Sequence, residues 1–425
     1  MKILVIGSGG REHAIVWALN RSEKVTEIYC ANGNAGISDI AECVDISPTD
    51  LISLRKFVEN QQIDMTFVGG ETSLALGIVD EFEKYGLKII GTSKQATQLE
   101  SSKAFAKDFM LRHKIPTAKY FNANSSTEAI DILNSGMFGD EDTAVVVKAD
   151  GLAAGKGVVV AANRNEALNA IKLMTSGELI DAAAASTIVL EECLVGTEVS
   201  LLMFADGKNF SLMPPTRDHK RIGEGDTGSN TGGMGTITDS SLLSKKETDE
   251  IIEKIIKPTL RGCEKEGFPF TGILFLGLMM TENGAQVLEY NVRFGDPETQ
   301  AILVNLETDF IDILEAINNK SLDKLTIEWK EGSSACIILA AQYYPKSPRK
   351  GDKILGLDLA NKHENVEIFH AGTSFDKDGN YLTAGGRVLA VTAIASNLSN
   401  SLHRAYKAVN EIGWEGMQYR RDIGK

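Results

Sequence analysis

Along the first hundred residues, short apolar runs alternate with stretches whose apolar positions recur every three or four residues. The runs Ile3 to Ile6, Glu27 to Cys30, Met65 to Val68 and Lys88 to Ile90 have strand length, and helical patterns over 11–20, 49–60 and 72–85 separate them. Strands alternating with crossover helices predict a parallel sheet. A helical stretch from Lys94 to Lys114 stops ahead of Pro116, whose ring disfavours helical backbone in the preceding residue, and predicts a connector to a second unit. There the β-branched runs Val145 to Val147 and Val158 to Val160 flank a glycine-rich segment, Gly151 to Gly157, and a helix near 165–176 and strands Thr187 to Glu192 and Glu198 to Ala205 follow. The polar stretch Pro214 to Thr236 predicts a long loop, uncommon in a compact domain unless functional. Beyond it the pattern predicts a helix near 241–266, a hairpin of Thr271 to Met280 with Ala285 to Asn291 turning at Asn283-Gly284, and a helix near 307–319. A last unit from about 328 holds strands Ala335 to Ala340, Val366 to His370 and Arg387 to Thr392 and a helix near 397–412. The fold class is therefore a multidomain mixture of α/β and α+β units.

Composition narrows the partners. With 425 residues, 43% hydrophobic and 24% charged, the chain exceeds what one core serves and predicts three or four packed units. Its 58 acidic against 44 basic residues, a net −14, disfavour non-specific binding to nucleic acid or anionic membrane, while local cations can still hold small phosphorylated ligands. Five scattered cysteines without C-x-x-C suggest reduced thiols rather than disulfides or a zinc site. No apolar run reaches the roughly 18 residues of a membrane span, and the first apolar run turns into glycines too soon for a signal peptide, so a cytoplasmic protein is expected. The 40 glycines cluster at 7–10, 151–157, 223–235 and 284–295, each beside a strand-like run.

Those clusters hold the candidate chemistry. Gly7-Ser8-Gly9-Gly10-Arg11-Glu12-His13, between strand and helix, aims helix N-terminal amides at an anion. A dinucleotide fold would want a third glycine where Glu12 stands and an acid closing the second strand, which ends Tyr29-Cys30-Ala31-Asn32. Lys148-Ala149-Asp150-Gly151 to Gly157, with Lys156, is no Walker A loop, since a strand follows it, but a Gly/Ala hairpin loop between two lysines suits polyphosphate. Glu191-Glu192-Cys193-Leu194 and Glu198 close and reopen strands, offering backbone to a base edge and a carboxylate to ribose. Glu289 and Asn291 alternate onto one strand face about 7 Å apart, oxygen donors of the kind Mg²⁺ takes together with substrate phosphates, and Arg293 shares that face if the strand continues. The loop from Asp218 through Lys220, Arg221 and Asn230 to Gly235 adds cations and an amide. The six histidines form no H-x-x-x-H or H-E-x-x-H, so zinc hydrolysis has no support.

In these motifs the chain resembles the glycinamide ribonucleotide synthetase family of ATP-grasp enzymes. The residues that carry the resemblance are R-F-G-D-P-E-x-Q at Arg293 to Gln300, G-S-G-G-R-E-H-A at Gly7 to Ala14, K-A-D-G-L-A-A-G-K-G-V at Lys148 to Val158, D-H-K-R with N-T-G-G-M-G, H-A-G-T at His370 to Thr373 and G-G-R-V-L at Gly385 to Leu389. The resemblance implies a parallel-sheet N-terminal domain over 1–102 that binds phosphoribosylamine, an ATP-grasp domain over 103–327 with a lid at about 122–192, and a C-terminal domain over 328–425 packing on the first. It implies ATP-dependent joining of glycine to 5-phosphoribosylamine through glycyl phosphate. By motif, Glu289 and Asn291 match ligands of Mg²⁺ or Mn²⁺, and Lys103, Lys148, Lys156, Glu191, Glu192, Leu194, Glu198, Arg221 and Asn230 match ATP contacts. Gly9, Gly10, Arg11, Glu71, Asp218, Arg293 and Asp296 match substrate contacts, with Arg293, Lys148 and Arg221 as catalytic cations. Where the family commonly shows G-P-E-x-P-L, this chain has Gly69-Gly70-Glu71-Thr72-Ser73-Leu74, so a less rigid loop is expected. Rival readings are an ATP-grasp ligase with another acceptor, or a non-catalytic nucleotide-binding regulator. A monomer is expected, with a dimer left open.

Overall fold

The protein is described by a computed structural model covering residues 1–151, 157–178 and 186–425. The first hundred residues form a parallel sheet in the order Glu42–Val44, Glu27–Asn32, Lys2–Gly7, Met65–Val68, Ile89–Ile90. The order reverses at Lys2–Gly7, so a crevice opens beyond the carboxyl ends of that strand and Met65–Val68, where doubly wound sheets bind ligands. The glycine turn at 7–10 stands there, and so does Gly69-Gly70, which leads into helix Glu71–Leu76 where a loop was expected. Helix Gly10–Asn20 is buried on nearly every face, the mark of a helix packed on two sides.

The second sheet is antiparallel and crosses unit boundaries. Its order is Gly284–Asn291, Thr271–Thr281, Thr197–Asp206, Thr216–Asp218, Gly235–Thr238, Ser333–Ala340, Arg387–Ala395, Val366–His370. Pairing of Gly235–Thr238 with Ser333–Ala340 carries it without a break into the strands of the last unit. A separate four-stranded sheet, Tyr120–Ala123, Ile188–Glu192, Val145–Ala149, Val158–Ala161, is backed by helices Ser126–Asn134 and Arg164–Thr175 around its own core of Val147, Leu190, Ile171 and Met174.

Four elements differ from the pattern. The helix predicted over Lys94 to Lys114 is two, Gln98–Ser101 and Lys103–Arg112, broken where Ser102 leaves helical backbone to accept the Phe105 amide and donate to Asp150. The helix near 241–266 begins at Lys245 behind a Ser244/Glu247 capping box and widens to π geometry over Ile252–Ile256, a local loosening just ahead of Pro258, which has no N–H and crowds the carbonyl four residues back. The hairpin turns at Glu282-Asn283, with Thr281 paired to Gly284. The long polar loop is short strands, Thr216–Asp218, Arg221–Gly223, Thr227–Asn230 and Gly235–Thr238.

Phe67, Phe204, Phe294 and Phe310 meet where the two main sheets face each other, with ring centroids 6.0–6.4 Å apart. Each comes from a different segment, so the cluster locks the R-F-G-D-P-E motif between the sheets. Phe294→Ala is expected to lower stability by about 3–5 kcal/mol in urea unfolding, and a loss under about 1 kcal/mol would contradict this placement.

The last unit meets the first at buried His13 and His370: the His370 amide donates to His13 Nδ1 at 2.8 Å, and Asn34 donates to the carbonyls of Ser8 and His370, each at 2.8 Å. Burial pushes His13 down to about 3 and His370 to about 4, from an ordinary 6.5. The unfolded chain then binds more protons, so this contribution to stability is complete above about pH 6.5 and is lost as pH falls towards 4. His13→Asn keeps an acceptor without a titrating ring, so its melting temperature should fall less than the parent's between pH 7 and pH 5; parallel losses would remove the histidine from the acid response.

Candidate active site

At the first turn the backbone leaves strand Lys2–Gly7 through Gly7, at φ +136°, and enters helix Gly10–Asn20 with Gly9 as its N-cap. Glu12 folds back beneath the turn: one carboxylate oxygen accepts the Gly9 amide and the other Arg11 Nε, each at 2.6 Å. A Cβ at Gly7, Gly9 or Gly69 would collide with this carboxylate, which explains the glycines. The Gly9 amide, predicted to meet a phosphate, is thus committed to Glu12. The first-turn amides at Gly10 and Arg11 remain as the anion donors that helix geometry leaves over. Arg11 also donates to the Phe294 carbonyl at 3.0 Å and lies in the field of Glu71 and Asp296.

Arg293 joins this turn to the second sheet. Its strand ends at Asn291, yet the guanidinium still reaches back to Asn291 Oδ1 at 3.2 Å. It donates to Glu100 at 2.7 Å and to Glu71 at 3.2 Å. Glu100 is buried, and its other oxygen accepts the Val292 amide at 2.8 Å. Burial pushes Glu71 up, but Arg293 and Arg11 outweigh it and hold the carboxyl below its usual range, whereas in Glu100 burial wins over Arg293. Nothing local in the sequence singles out Glu100, because its role is an ion pair 193 positions along the chain.

Beside Asn291, Glu289 would be raised by burial alone. The summed field of Lys220, Lys148, Lys103 and Arg293 instead keeps it below the ordinary carboxylate value, an anion ringed by four cations. Lys103, at the first turn of its helix, is lowered by burial. Lys148 and Lys107 both grip Glu191, each at 2.7 Å, with Lys148 also on the Leu288 carbonyl and Lys107 on Thr117. Burial and the neighbouring Lys148 bring Lys107 to about 8. The Glu191 carboxylate is therefore spent inside the protein, while the expectation for this segment concerned its backbone groups, which these contacts leave untouched. Glu192 is exposed, and with Cys193, Leu194 and the turn at Thr281 to Asn283 it lines a cleft of about 620 Å³.

Half-exposed Lys220 reaches Glu198 at 2.9 Å, and the carboxylates of Glu198, Glu289 and Asp218 outweigh desolvation to raise its ammonium above the ordinary value. Arg221, predicted as the phosphoryl contact, donates to the Gly228 carbonyl at 2.7 Å in its own hairpin, where Asn230 pairs with it across the strands. Lys220 is the cation that faces Glu289. Asp218 and Glu298 are both raised, chiefly by burial, Asp218 also by the charge of Glu298 and Glu298 by that of Asp296, and Arg387 lies in the field of all three carboxylates. Arg387 contacts the Asp296 carboxylate at 2.8 Å and the Asp296 and Gly232 carbonyls at 2.7 and 2.5 Å. Lys107 was not singled out from sequence, Glu298 and Arg387 entered only as members of motifs, and Lys220 only as one of the loop's cations. Lys156 lies outside the described residues.

A cation-ringed carboxylate between a four-stranded sheet and a larger antiparallel one defines an ATP-grasp protein, and residues 101–299 match the family model described as phosphoribosylglycinamide synthetase, ATP-grasp (A) domain. Residues 1–100 and 334–425 match that family's N and C domains. The chain belongs to the phosphoribosylglycinamide synthetase family. It is 44% identical to a phosphoribosylamine-glycine ligase of Caldanaerobacter subterraneus subsp. tengcongensis, covering 100% of this chain and 99% of that one. It is 45% identical to a ligase of the same name from Haemophilus influenzae, covering 100% and 98%. The crystal structure of phosphoribosylamine-glycine ligase from Thermotoga maritima superposes with a TM-score of 0.85 at 32% identity, covering 99% of this chain and 100% of that one.

Two buried ammonium groups on one carboxylate make Glu191 structurally critical. Glu191→Gln is expected to cost about 3–5 kcal/mol of stability, while Glu192→Gln on its exposed neighbour stays within about 0.5 kcal/mol. Thermal melts showing equal effects would remove the buried triad.

Proposed function

We propose that this chain joins glycine to 5-phosphoribosylamine at the expense of ATP, giving glycinamide ribonucleotide, ADP and phosphate, a step of de novo purine biosynthesis carried out in the cytoplasm. The observation that carries the reading is the ionised Glu289 in the field of Lys220, Lys148, Lys103 and Arg293, with Arg293 linked through Glu71 to the Arg11 turn. Donor and acceptor ends of a two-step transfer thereby share one connected array of charges.

In this reading the Glu192 to Leu194 cleft takes the adenine and Glu198 the ribose. Lys103, Lys148 and Lys220 neutralise the polyphosphate. Gly10, Arg11 and Glu71 hold phosphoribosylamine. Arg293 receives the glycine carboxylate, and the acidic group of Asp218, Asp296 and Glu298 suits its ammonium. Glu289 and Asn291 supply two hard oxygen donors. A carboxylate and an amide oxygen suit a Mg²⁺ or Mn²⁺ ion held by one or two protein oxygens plus phosphate and water. When bound, such an ion supplies charge neutralisation at the transferring phosphoryl group.

The chemistry needs little covalent help from the protein. A glycine carboxylate oxygen bonds to the γ-phosphorus as the bond to ADP breaks, and the amine then displaces phosphate at the acyl carbon. Positioning and electrostatic stabilisation supply the rate.

The decisive measurement is ADP release with glycine and phosphoribosylamine, generated in place, each omitted in turn. Omitting glycine should abolish it, and ADP formation indifferent to both would overturn the reading. Glu289→Gln should lower kcat by about 10²–10³ with the fold intact; unchanged Mg²⁺ dependence would take Glu289 out of the metal site.

A further inference from the structure

The hairpin of Arg221–Gly223 with Thr227–Asn230 pairs with neither large sheet. A two-stranded hairpin is marginally stable alone in water, and this one is polar, with Thr227, Gly228 and Ser229 exposed. Contacts from outside must therefore decide where Lys220, at its entrance, points. Its exit is tied down by Arg387 on the Gly232 carbonyl and by the Gly232 amide donating to the Tyr344 hydroxyl at 3.1 Å.

Its entrance and tip are held by one short segment, residues 420–424. Arg420 is only 2% exposed, yet every hydrogen bond of its side chain ends on this hairpin or on Asp422. Nε and Nη2 grip the two oxygens of Asp422, each at 2.8 Å, which sets the plane of the guanidinium. Nη1 then donates to the Arg221 carbonyl at 3.1 Å and to Asp226 at the tip at 2.6 Å. Asp422 in turn accepts the Gly225 amide at 2.7 Å, the Arg421 amide donates to Glu224 at 3.2 Å, and the Gly424 amide donates to His219 Nε2 at 3.0 Å. The Arg420 hydrogen bonds hold Asp422 down to about 2, so the pair stays charged at any working pH. Lysine has no such planar fork.

We propose that Arg420 is a positioning residue for ATP: by fixing the Arg221 carbonyl and the Asp226 tip, it aims Lys220 into the cleft between Glu198 and Glu289. The proposal rests on the reading that Lys220 meets the nucleotide's phosphates.

The test is a set of full-length variants, Arg420→Lys, Asp226→Asn, Lys220→Met and the double Arg420→Lys/Lys220→Met. Each is measured for the ATP dissociation constant by calorimetry with Mg²⁺, KM for glycine, and melting temperature. Arg420→Lys and Asp226→Asn should each weaken ATP by about tenfold, the scale of one charge-assisted hydrogen bond, with KM for glycine within about twofold. The double variant should bind ATP no more weakly than Lys220→Met, because a positioning residue has nothing left to aim. If Lys220→Met binds ATP like the parent, the nucleotide reading of Lys220 falls. If Lys220→Met is weakened while Arg420→Lys and Asp226→Asn match the parent, or if the two effects add in full, the positioning role is overturned. Asp226 is exposed, so Asp226→Asn decides alone should Arg420→Lys fail to fold.

Discussion

The guanidinium of Arg293 is the constraint around which the cleft is built. A largely buried cation costs several kcal/mol of hydration unless countercharge and hydrogen bonds return it. Here they come from three places in the chain: Glu100 in the connector, Glu71 beyond the parallel sheet and Asn291 at the end of the hairpin. None of these groups can shift without leaving another unpaired. Phe294, one residue on, anchors the same point from below through the aromatic cluster. The site is rigid at that position because burial and charge both demand it.

Around this point the protein reverses its own average. The chain carries a net −14, but Glu289 lies in the field of four cations, and Glu191 is held by one of them, Lys148, together with Lys107. Carboxylates set between lysines limit their mutual repulsion. Local focusing of charge, rather than overall sign, decides what the cleft attracts.

Much of this was legible in the sequence, and the gaps have physical causes. The parallel sheet, the hairpin and the strands of the last unit follow from apolar periodicity. The Ser102 break and the π stretch ahead of Pro258 interrupt helices without interrupting their apolar pattern, so periodicity runs straight through them. Glycine turns and the Glu289/Asn291 pair announce themselves through local spacing. Glu100, Lys107 and Arg387 do not, because each acts through a partner distant in sequence. Lys220 and Arg221 illustrate the limit: which of two adjacent cations acts on Glu289 and which bonds within its own hairpin depends on tertiary placement that a polar, glycine-rich stretch does not advertise. Glu12 taking the Gly9 amide is similar, since a capping carboxylate and a bound phosphate compete for the same donors.

The division of the cores has a consequence for how the molecule opens. Among the described residues, the first unit, the central sheet and the last unit share apolar clusters, and the antiparallel sheet runs through the boundary between the latter two. Only the four-stranded sheet over Tyr120 to Glu192 keeps a core confined to itself. Amide hydrogen exchange should therefore sort the chain into two cooperative populations rather than three, with the seam near Lys119 and Glu192. The body built on the shared cores would stay closed through fluctuations in which the four-stranded unit exchanges its amides freely.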